Sequence, residues 1–460
     1  MSAAPLRRVA VLDVGKTNVK AVLVDGATGT ESAARTMPNS VLRDGSYPHF
    51  DTGRIEAFFL DALADLARED EGFEAVTITA HGASGALLRA DGTLALPVLD
   101  YEHDGPDDLA EDYGRVRPPF AETFSPRLPG GLNLGAQLFW QERRFPAGFA
   151  DATAFLTYPQ YWAHWLTGVV ATEATSLGCH TDLWAPREGR FSSLVASMGW
   201  SGRMAPVRSA FDRLGPIRPA LARTIGLARP VPVACGIHDS NASLLPHLRG
   251  EGDALSVVST GTWAIAFAPG GPLDRLDPAR DTLANVDAYG RPVPSARFMG
   301  GREFDILTGR DPSPPDAAAV RTVLGRRVMA LPSFAPGSGP FPNATGRWSE
   351  APDTLTPGER TAVATLYVAL MTASCLDLIG AEGRTVVEGP FARNPLYSEA
   401  LAILTGRPVL PSGGGTGTSV GAARLLLPAE PPRPPVQTPV RLIDDDAKLR
   451  AYAATWRAAI

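Results

Sequence analysis

The residues best suited to chemistry in this sequence are Asp13-Val14-Gly15-Lys16-Thr17-Asn18, a short polar bend between two apolar, largely β-branched runs within residues 9–25. The alternation in those runs predicts two strands of a hairpin. Such a bend sets backbone N–H groups, a hydroxyl, an amide and an ammonium beside one carboxylate, a combination suited to phosphate oxygens and a divalent cation. The design recurs over residues 254–268, where Ser259-Thr260-Gly261-Thr262 lies between two apolar runs. The two hairpins open halves of similar length, which reads as an internal duplication, and two phosphate-facing hairpins imply a nucleotide held between two domains. A Walker A loop is excluded at Gly15-Lys16-Thr17: position 10, where it needs Gly, is Ala, and a strand pattern follows Thr17 instead of a helix.

A third polar cluster, Gly236-Ile237-His238-Asp239-Ser240, follows an apolar strand over 231–235. Asp239 stands at the end of a strand and the entry of a helix. There it is either an N-cap or a base that takes a proton from a hydroxyl, as phosphoryl transfer to an alcohol requires. Its place between the two hairpins raises the second reading. Two further loops carry side chains that read hydroxyl groups. A buried strand over 75–80 ends in His81-Gly82-Ala83-Ser84-Gly85, past a strand's carboxyl end, where ligands gather in α/β sheets. His81 is a ligand-facing side chain or a satisfied loop histidine. A strand over 94–101 delivers Asp100, Tyr101, Glu102 and His103 into the next loop.

Among the elements that position these groups, residues 53–68 predict an amphipathic helix whose apolar face holds Ile55, Phe58, Phe59, Leu60, Leu63 and Leu66. Residues 155–168, FLTYPQYWAHWLTG, begin as a strand or turn and pass into a helix rich in Tyr and Trp. Its aromatics read as core, with sugar stacking by Trp162 or Trp165 as the rival. Pro216 and Pro219 break 209–227 into short pieces.

With 460 residues and 44% hydrophobic content, the chain can bury two substantial cores. The net charge of −6 leaves no basic patch dense enough for nucleic acid. Three cysteines without metal spacing point to reduced thiols and a cytoplasmic protein. The N-terminus runs straight into a strand, unlike a signal peptide, and no apolar run reaches the ~18 residues a membrane span needs. The Pro-rich stretch 428–439 reads as a linker.

Taken in order, Asp13-x-Gly15-x-Thr17, the segment ending in Trp165-Leu166-Thr167-Gly168, GIHDS at 236–240, STGT at 259–262 and the late glycine segments resemble the FGGY family of carbohydrate kinases. The tone of the segments is nearest its rhamnulokinase and fuculokinase side. The resemblance implies two duplicated actin-like (ribonuclease H-like) α/β domains with a cleft between them, divided as 1–244, 245–430 and a tail of linker and helix over 431–460. It implies an ATP- and Mg2+-dependent kinase acting on a small ketose or polyol, a homodimer or a monomer, with no nucleic-acid or membrane partner. Asp239 matches the base, and Asp13 the Mg-associated carboxylate, with Asp239 as its possible companion at the metal. Gly15, Lys16, Thr17 and Asn18 match the first phosphate loop, and Thr260, Gly261 and Thr262 the second. Gly389, where a purine would approach the backbone, and Asn394 match the adenosine segment, and Gly414 and Gly415 the last loop. His81, Gly82, Asp100, Tyr101, Glu102 and Asp239 are the sugar-side expectations. The chain departs from the pattern in three places: Lys16 stands where the family has Thr or Ser, Glu388-Gly389-Pro390-Phe391 replaces a run of glycines, and the sugar segment survives only as residues 99–103. A sugar-independent ATPase of the same superfamily and a non-catalytic sugar-binding regulator are the rival functions.

Overall fold

The computed structural model describes residues 6–69, 71–248, 254–309, 312–412, 417–427 and 441–460. The chain forms two compact units that interleave in sequence: residues 1–248 with 284–292 and 415–433, and residues 249–283 with 293–414 and 434–460.

In the first unit, β1 (Arg8–Val14) pairs antiparallel with β2 (Asn18–Asp25), which pairs with β3 (Glu31–Pro38). On its other side β1 runs parallel to β4 (Ala75–Ala80), and β4 in turn runs parallel to two short strands, β5 (Pro232–Ala234) and β6 (Ile237–His238). Every residue of β4 is buried, as expected of a central strand covered on both faces. One cover is the helix α1 (Thr52–Arg68), which begins at Asp51, whose Oδ1 accepts from the Arg54 N–H at 3.0 Å. Ile55, Phe59, Ala62, Leu63 and Leu66 form its buried stripe, each large side chain contributing about 1.5–3 kcal/mol of transfer free energy.

The helix α2 (Tyr158–Thr167), with Pro in its first turn and left-handed Gly168 at its end, closes the same core. Trp162 is 0% and Trp165 8% exposed, and both belong to that core, so the sugar-stacking reading is set aside.

Residues 94–101 form no sheet strand: Leu94 and Leu99 make only isolated bridges, to Leu88 and His49. Pro97 has no N–H to donate, and its carbonyl accepts instead from the Tyr47 hydroxyl at 2.8 Å. Backbone bonds from Phe50 N to Val98 O at 2.9 Å and from Asp100 N to Pro48 O at 3.0 Å hold the segment as a strap.

The second unit repeats the plan. Its sheet includes, as neighbours in this order, Pro292–Phe298, Ala264–Phe267, Leu255–Thr260, Arg384–Glu388 and Val409–Pro411. The central hairpin of Leu255–Thr260 and Ala264–Phe267 is antiparallel, and Leu255–Thr260 runs parallel to Arg384–Glu388, as β1 does to β4. The 22-residue helix Pro357–Leu378, opened by a Thr356–Glu359 capping box, carries an 18-residue window apolar enough by composition to cross a bilayer. The expectation of no such stretch is corrected. That window is 83% buried within the protein, which is the packing of a core helix. The helix Asp446–Ala458 packs through Leu449, Tyr452 and Trp456, with the Trp456 Nε1–H donating to Ala330 O at 2.8 Å.

Gly389 follows Arg384–Glu388 with φ +80°, and a Cβ there would lie 1.9 Å from the Thr260 carbonyl oxygen. Glycine is required at this position by the neighbouring strand of its own sheet, whatever ligand binds. Gly389→Ala is expected to lower the melting temperature by several degrees, from about 1–2 kcal/mol of left-handed strain plus the displaced carbonyl. An unchanged thermal unfolding curve would contradict this packing.

Candidate functional site

The parallel run of β1, β4 and β6 determines which side chains meet in the first unit. Asp13 pairs with Thr79, and Ile237 pairs with the same Thr79 from the other side. All three strands therefore end together, two strand spacings or roughly 10 Å across. They release Gly15 onward, His81-Gly82 and Asp239 at one edge, the usual place for ligands in such sheets.

Asp13 is the most perturbed acid there. Burial first, then the charge of Asp239, push its carboxyl up to about 7, and Lys20 and the Ser419 hydroxyl, 3.4 Å away, offset this only in part. Ser419 comes from the helix Thr418–Ala423, which packs on β1 and on the helix α3 (Asp239–Leu244). A Cβ on Gly421 would lie 1.9 Å from the Ala242 carbonyl, so glycine sets that contact.

Asp239 occupies the first turn of α3, and His238 precedes the helix as its cap residue, so the N-cap reading of Asp239 is replaced by a first-turn position. Its Oδ1 accepts from Ser240 N at 2.6 Å and from the Ser240 hydroxyl at 3.3 Å, and lies 3.2 Å from His238 Nε2. These donors hold the carboxylate in a fixed direction.

His238 itself is buried. Burial alone would discharge it, but Cys179, Asp239 and Glu173 raise its pKa. Burial opposes the Cys179 thiolate, while His180 and His238 stabilise it and carry its pKa down. An imidazolium donates from both nitrogens. Turning the Asn241 amide, 3.1 Å from Nδ1, end for end gives Nδ1–H an acceptor in Oδ1, which otherwise is buried without a partner. A Cβ on Gly82 would stand 2.8 Å from His238 Nε2. Gly82 thus makes room for the histidine that orients Asp239.

His81 is 6% exposed; its Nδ1 lies 2.9 Å from the Gly82 carbonyl while its Nε2 has no partner. Burial pushes its pKa down, so the neutral ring donates from Nδ1 and holds an unused acceptor at Nε2. Its ring centroid is 5.3 Å from that of Tyr101 and 5.0 Å from that of Phe50. Lys16 joins this group, its ammonium bonded to Asp100, 3.1 Å from Glu102 Oε2, and over the rings of Phe50 and Tyr101.

Other first-bend groups are used by the turn itself. Gly15 N–H donates to Asn18 O at 2.9 Å, and the Gly15 carbonyl accepts from Asn39 Nδ2 at 2.8 Å, while the side chains of Thr17 and Asn18 are exposed.

Considered by itself, the second unit presents Thr262 exposed at the turn, with Gly261 N–H closing that turn onto Trp263 O at 2.8 Å. The Thr260 hydroxyl donates to the Glu388 carbonyl and accepts from Phe391 N at 3.2 Å. Asn394 caps the helix Pro395–Thr405, accepting from Tyr397 N at 3.1 Å and donating to Thr365 at 3.2 Å. Both side chains serve the fold as they stand. Gly414 and Gly415 lie outside the described residues, as does the stretch 428–439.

Sequence reasoning missed Glu173 and the Cys179–His238 contact, and left the direction of Lys16 open. A histidine immediately before the candidate base was the one available signal for the buried ring that orients Asp239.

The expected Mg2+ can be tested against these residues. Asp13 and Asp239 are carboxylates that repel each other, with Asp13 partly buried, and such an oxygen-only pair fits a hard divalent cation. Among the described residues no three His, Cys, Asp or Glu side chains gather into a metal cage. The pair would supply protein oxygens, with water and phosphate completing the shell.

Comparison with known proteins places the whole arrangement. Residues 131–246 match the "FGGY family of carbohydrate kinases, N-terminal domain", and residues 252–434 match "Carbohydrate kinase FGGY, C-terminal domain". A solved carbohydrate kinase from Novosphingobium aromaticivorans is 39% identical over 99% of both chains, with a TM-score of 0.90. A xylulose kinase structure from Brucella ovis, at 22% identity and covering 98% of both chains, shares the fold with a TM-score of 0.76. An L-fuculokinase of Salmonella typhi is 26% identical over 272 residues, and the match spans 58% of this chain and 57% of that protein.

Proposed function

The chain belongs to the FGGY family of carbohydrate kinases, and from that premise we propose that it transfers the γ-phosphate of ATP to a hydroxyl of a small ketose or polyol. The observation that carries the reading is the convergence of Asp13, His81 and Asp239 at the ends of three parallel strands. Asp239, oriented by His238, takes the proton from the attacking hydroxyl. His81 Nε2, buried and unused, accepts a hydrogen bond from a neighbouring hydroxyl of the same sugar. Asp13, with Asp239, holds the divalent cation. When bound, that cation neutralises phosphate charge, and the remaining contribution of the chain is positioning. Thr262 and the Gly261 turn stand on the nucleotide side. Closure around the sugar would exclude water and suppress ATP hydrolysis. The free cysteines, all buried, suit a reducing cytoplasm.

The test is ADP release with Mg-ATP against ketopentoses, deoxyketohexoses and four- and five-carbon polyols, each beside a no-sugar control. A strong response to one or two sugars is expected. Turnover that ignores every sugar would establish a sugar-independent ATPase instead, and sugar binding without turnover would establish a regulator.

A further inference from the structure

Lys16 lies in the first phosphate bend, where the family pattern has Thr or Ser, yet its side chain leaves the bend for the loop of residues 100–102. We infer that Lys16 is a sugar-side positioning residue that fixes the Asp100 and Glu102 carboxylates for hydroxyl recognition, and not a phosphate ligand. This rests on the kinase reading for the word sugar, and on geometry alone for the direction of the side chain.

Three observations carry it. The ammonium has three N–H donors, and it is engaged by Asp100 Oδ1, by Glu102 Oε2 at 3.1 Å, and by the faces of Tyr101 at 4.7 Å and Phe50 at 5.2 Å from the ring centroids. Little donor capacity remains for phosphate.

Second, the Asp100 side chain is only 5% exposed. Were Lys16 to swing to a phosphate, that buried carboxylate would lose its counter-charge, a change that buried acids resist strongly.

Third, the bonds that reach Asp100 within the described residues fall on Oδ1: the Lys16 ammonium and the Glu102 N–H at 3.2 Å. Oδ2 is left to accept from a ligand. The aromatic rings that hold Lys16 also flank His81, whose Nε2 is unused, so one rigid group sets both hydroxyl acceptors.

The arrangement also bears on substrate charge. One ammonium faces the two carboxylates of Asp100 and Glu102, which leaves negative charge on the sugar side, so an uncharged sugar is favoured over a sugar acid.

The experiment compares wild type with Lys16→Met, Lys16→Arg and Lys16→Thr in sugar and nucleotide kinetics, with thermal unfolding as the check on folding. Lys16→Met is expected to raise the sugar KM about tenfold or more and leave the ATP KM within about twofold. Lys16→Arg, which can bridge both carboxylates, should restore most of the sugar KM. Lys16→Thr restores the family's phosphate-loop residue but should not rescue the sugar KM. A raised ATP KM with an unchanged sugar KM in Lys16→Met would overturn the assignment, as would no change in either.

The assignment can be separated from the kinase reading by calorimetric titration of wild type and Lys16→Met with ATP alone. Equal dissociation constants support the sugar-side role even if no sugar on the panel is turned over. A nucleotide affinity weakened tenfold in the variant establishes phosphate contact and sinks the proposal.

Discussion

Asp239→Asn is expected to lower sugar-dependent kcat about a thousandfold, in the middle of the range for removing a general base and equivalent to about 4 kcal/mol of barrier. The change preserves shape and keeps an oxygen that can accept from Ser240 N and face His238 Nε2. What it removes is the capacity to take a proton. Calorimetry with ATP in the absence of Mg2+ should show binding within a few-fold of wild type, since the bends of both hairpins are untouched, while the Mg2+ requirement should rise because one of the two carboxylates has lost its charge. Two effects on stability oppose each other: the charge that resists ionisation of Asp13 is removed, and buried His238 loses one of its counter-charges. A variant that retains turnover within tenfold of wild type would mean that the proton leaves by another route, and Asp239 would then be only a cation ligand or a helix-entry residue.

The legibility of this site in the sequence differed by the kind of signal. Strand-bend-strand patterns depend on local alternation, and both hairpins formed where the alternation lay, with Asp13 next to last in one strand and Thr260 last in the other. The strand ending before His81 was equally plain, because 75–80 is uniformly apolar or β-branched and all of it is buried. Residues 94–101 misled because an apolar run is compatible with a strand as well as with a strap pinned under Tyr47. The choice was made by the Pro97 carbonyl and its distant hydroxyl partner.

Gly389 shows a related limit. A glycine after a strand suggested close approach by a ligand, whereas the close approach is made by Thr260, 129 positions earlier in the chain, whose carbonyl would be 1.9 Å from a Cβ. Long-range partners of this kind leave no mark on local pattern. Lys16 is the sharpest case: its place in the bend left open whether it touches phosphate or points away, and only the fold brings Asp100 to its ammonium. Trp162 and Trp165, by contrast, were legible because helical spacing of aromatics already favours a core face.

The second large effect is expected at Asp13. Asp13→Asn should lower kcat about a hundredfold and shift the Mg2+ dependence to higher concentration, since one of two oxygen donors loses its charge. The same variant separates metal chemistry from folding through pH. An unfolded Asp titrates near 3.9, whereas burial, followed by the Asp239 charge, lifts the folded value to about 7. The folded state therefore holds this proton more tightly than the unfolded chain does. Below about pH 4 both states are protonated and Asp13 costs nothing. As pH rises from 4 to 7 the unfolded chain ionises while the folded protein resists, so stability falls. Above 7 the loss levels off at up to about 4 kcal/mol in metal-free protein, a ceiling that solvent reaching the carboxylate lowers. The melting temperature of Asp13→Asn should therefore rise relative to metal-free wild type across that window, with the two nearly equal at its acid end. Added Mg2+ should stabilise wild type at pH 8, hardly at pH 5, and the variant at neither. Were the two proteins to respond alike to Mg2+ at pH 8, the cation would not sit on Asp13, and the repulsion between Asp13 and Asp239 would have to be relieved by some other charge.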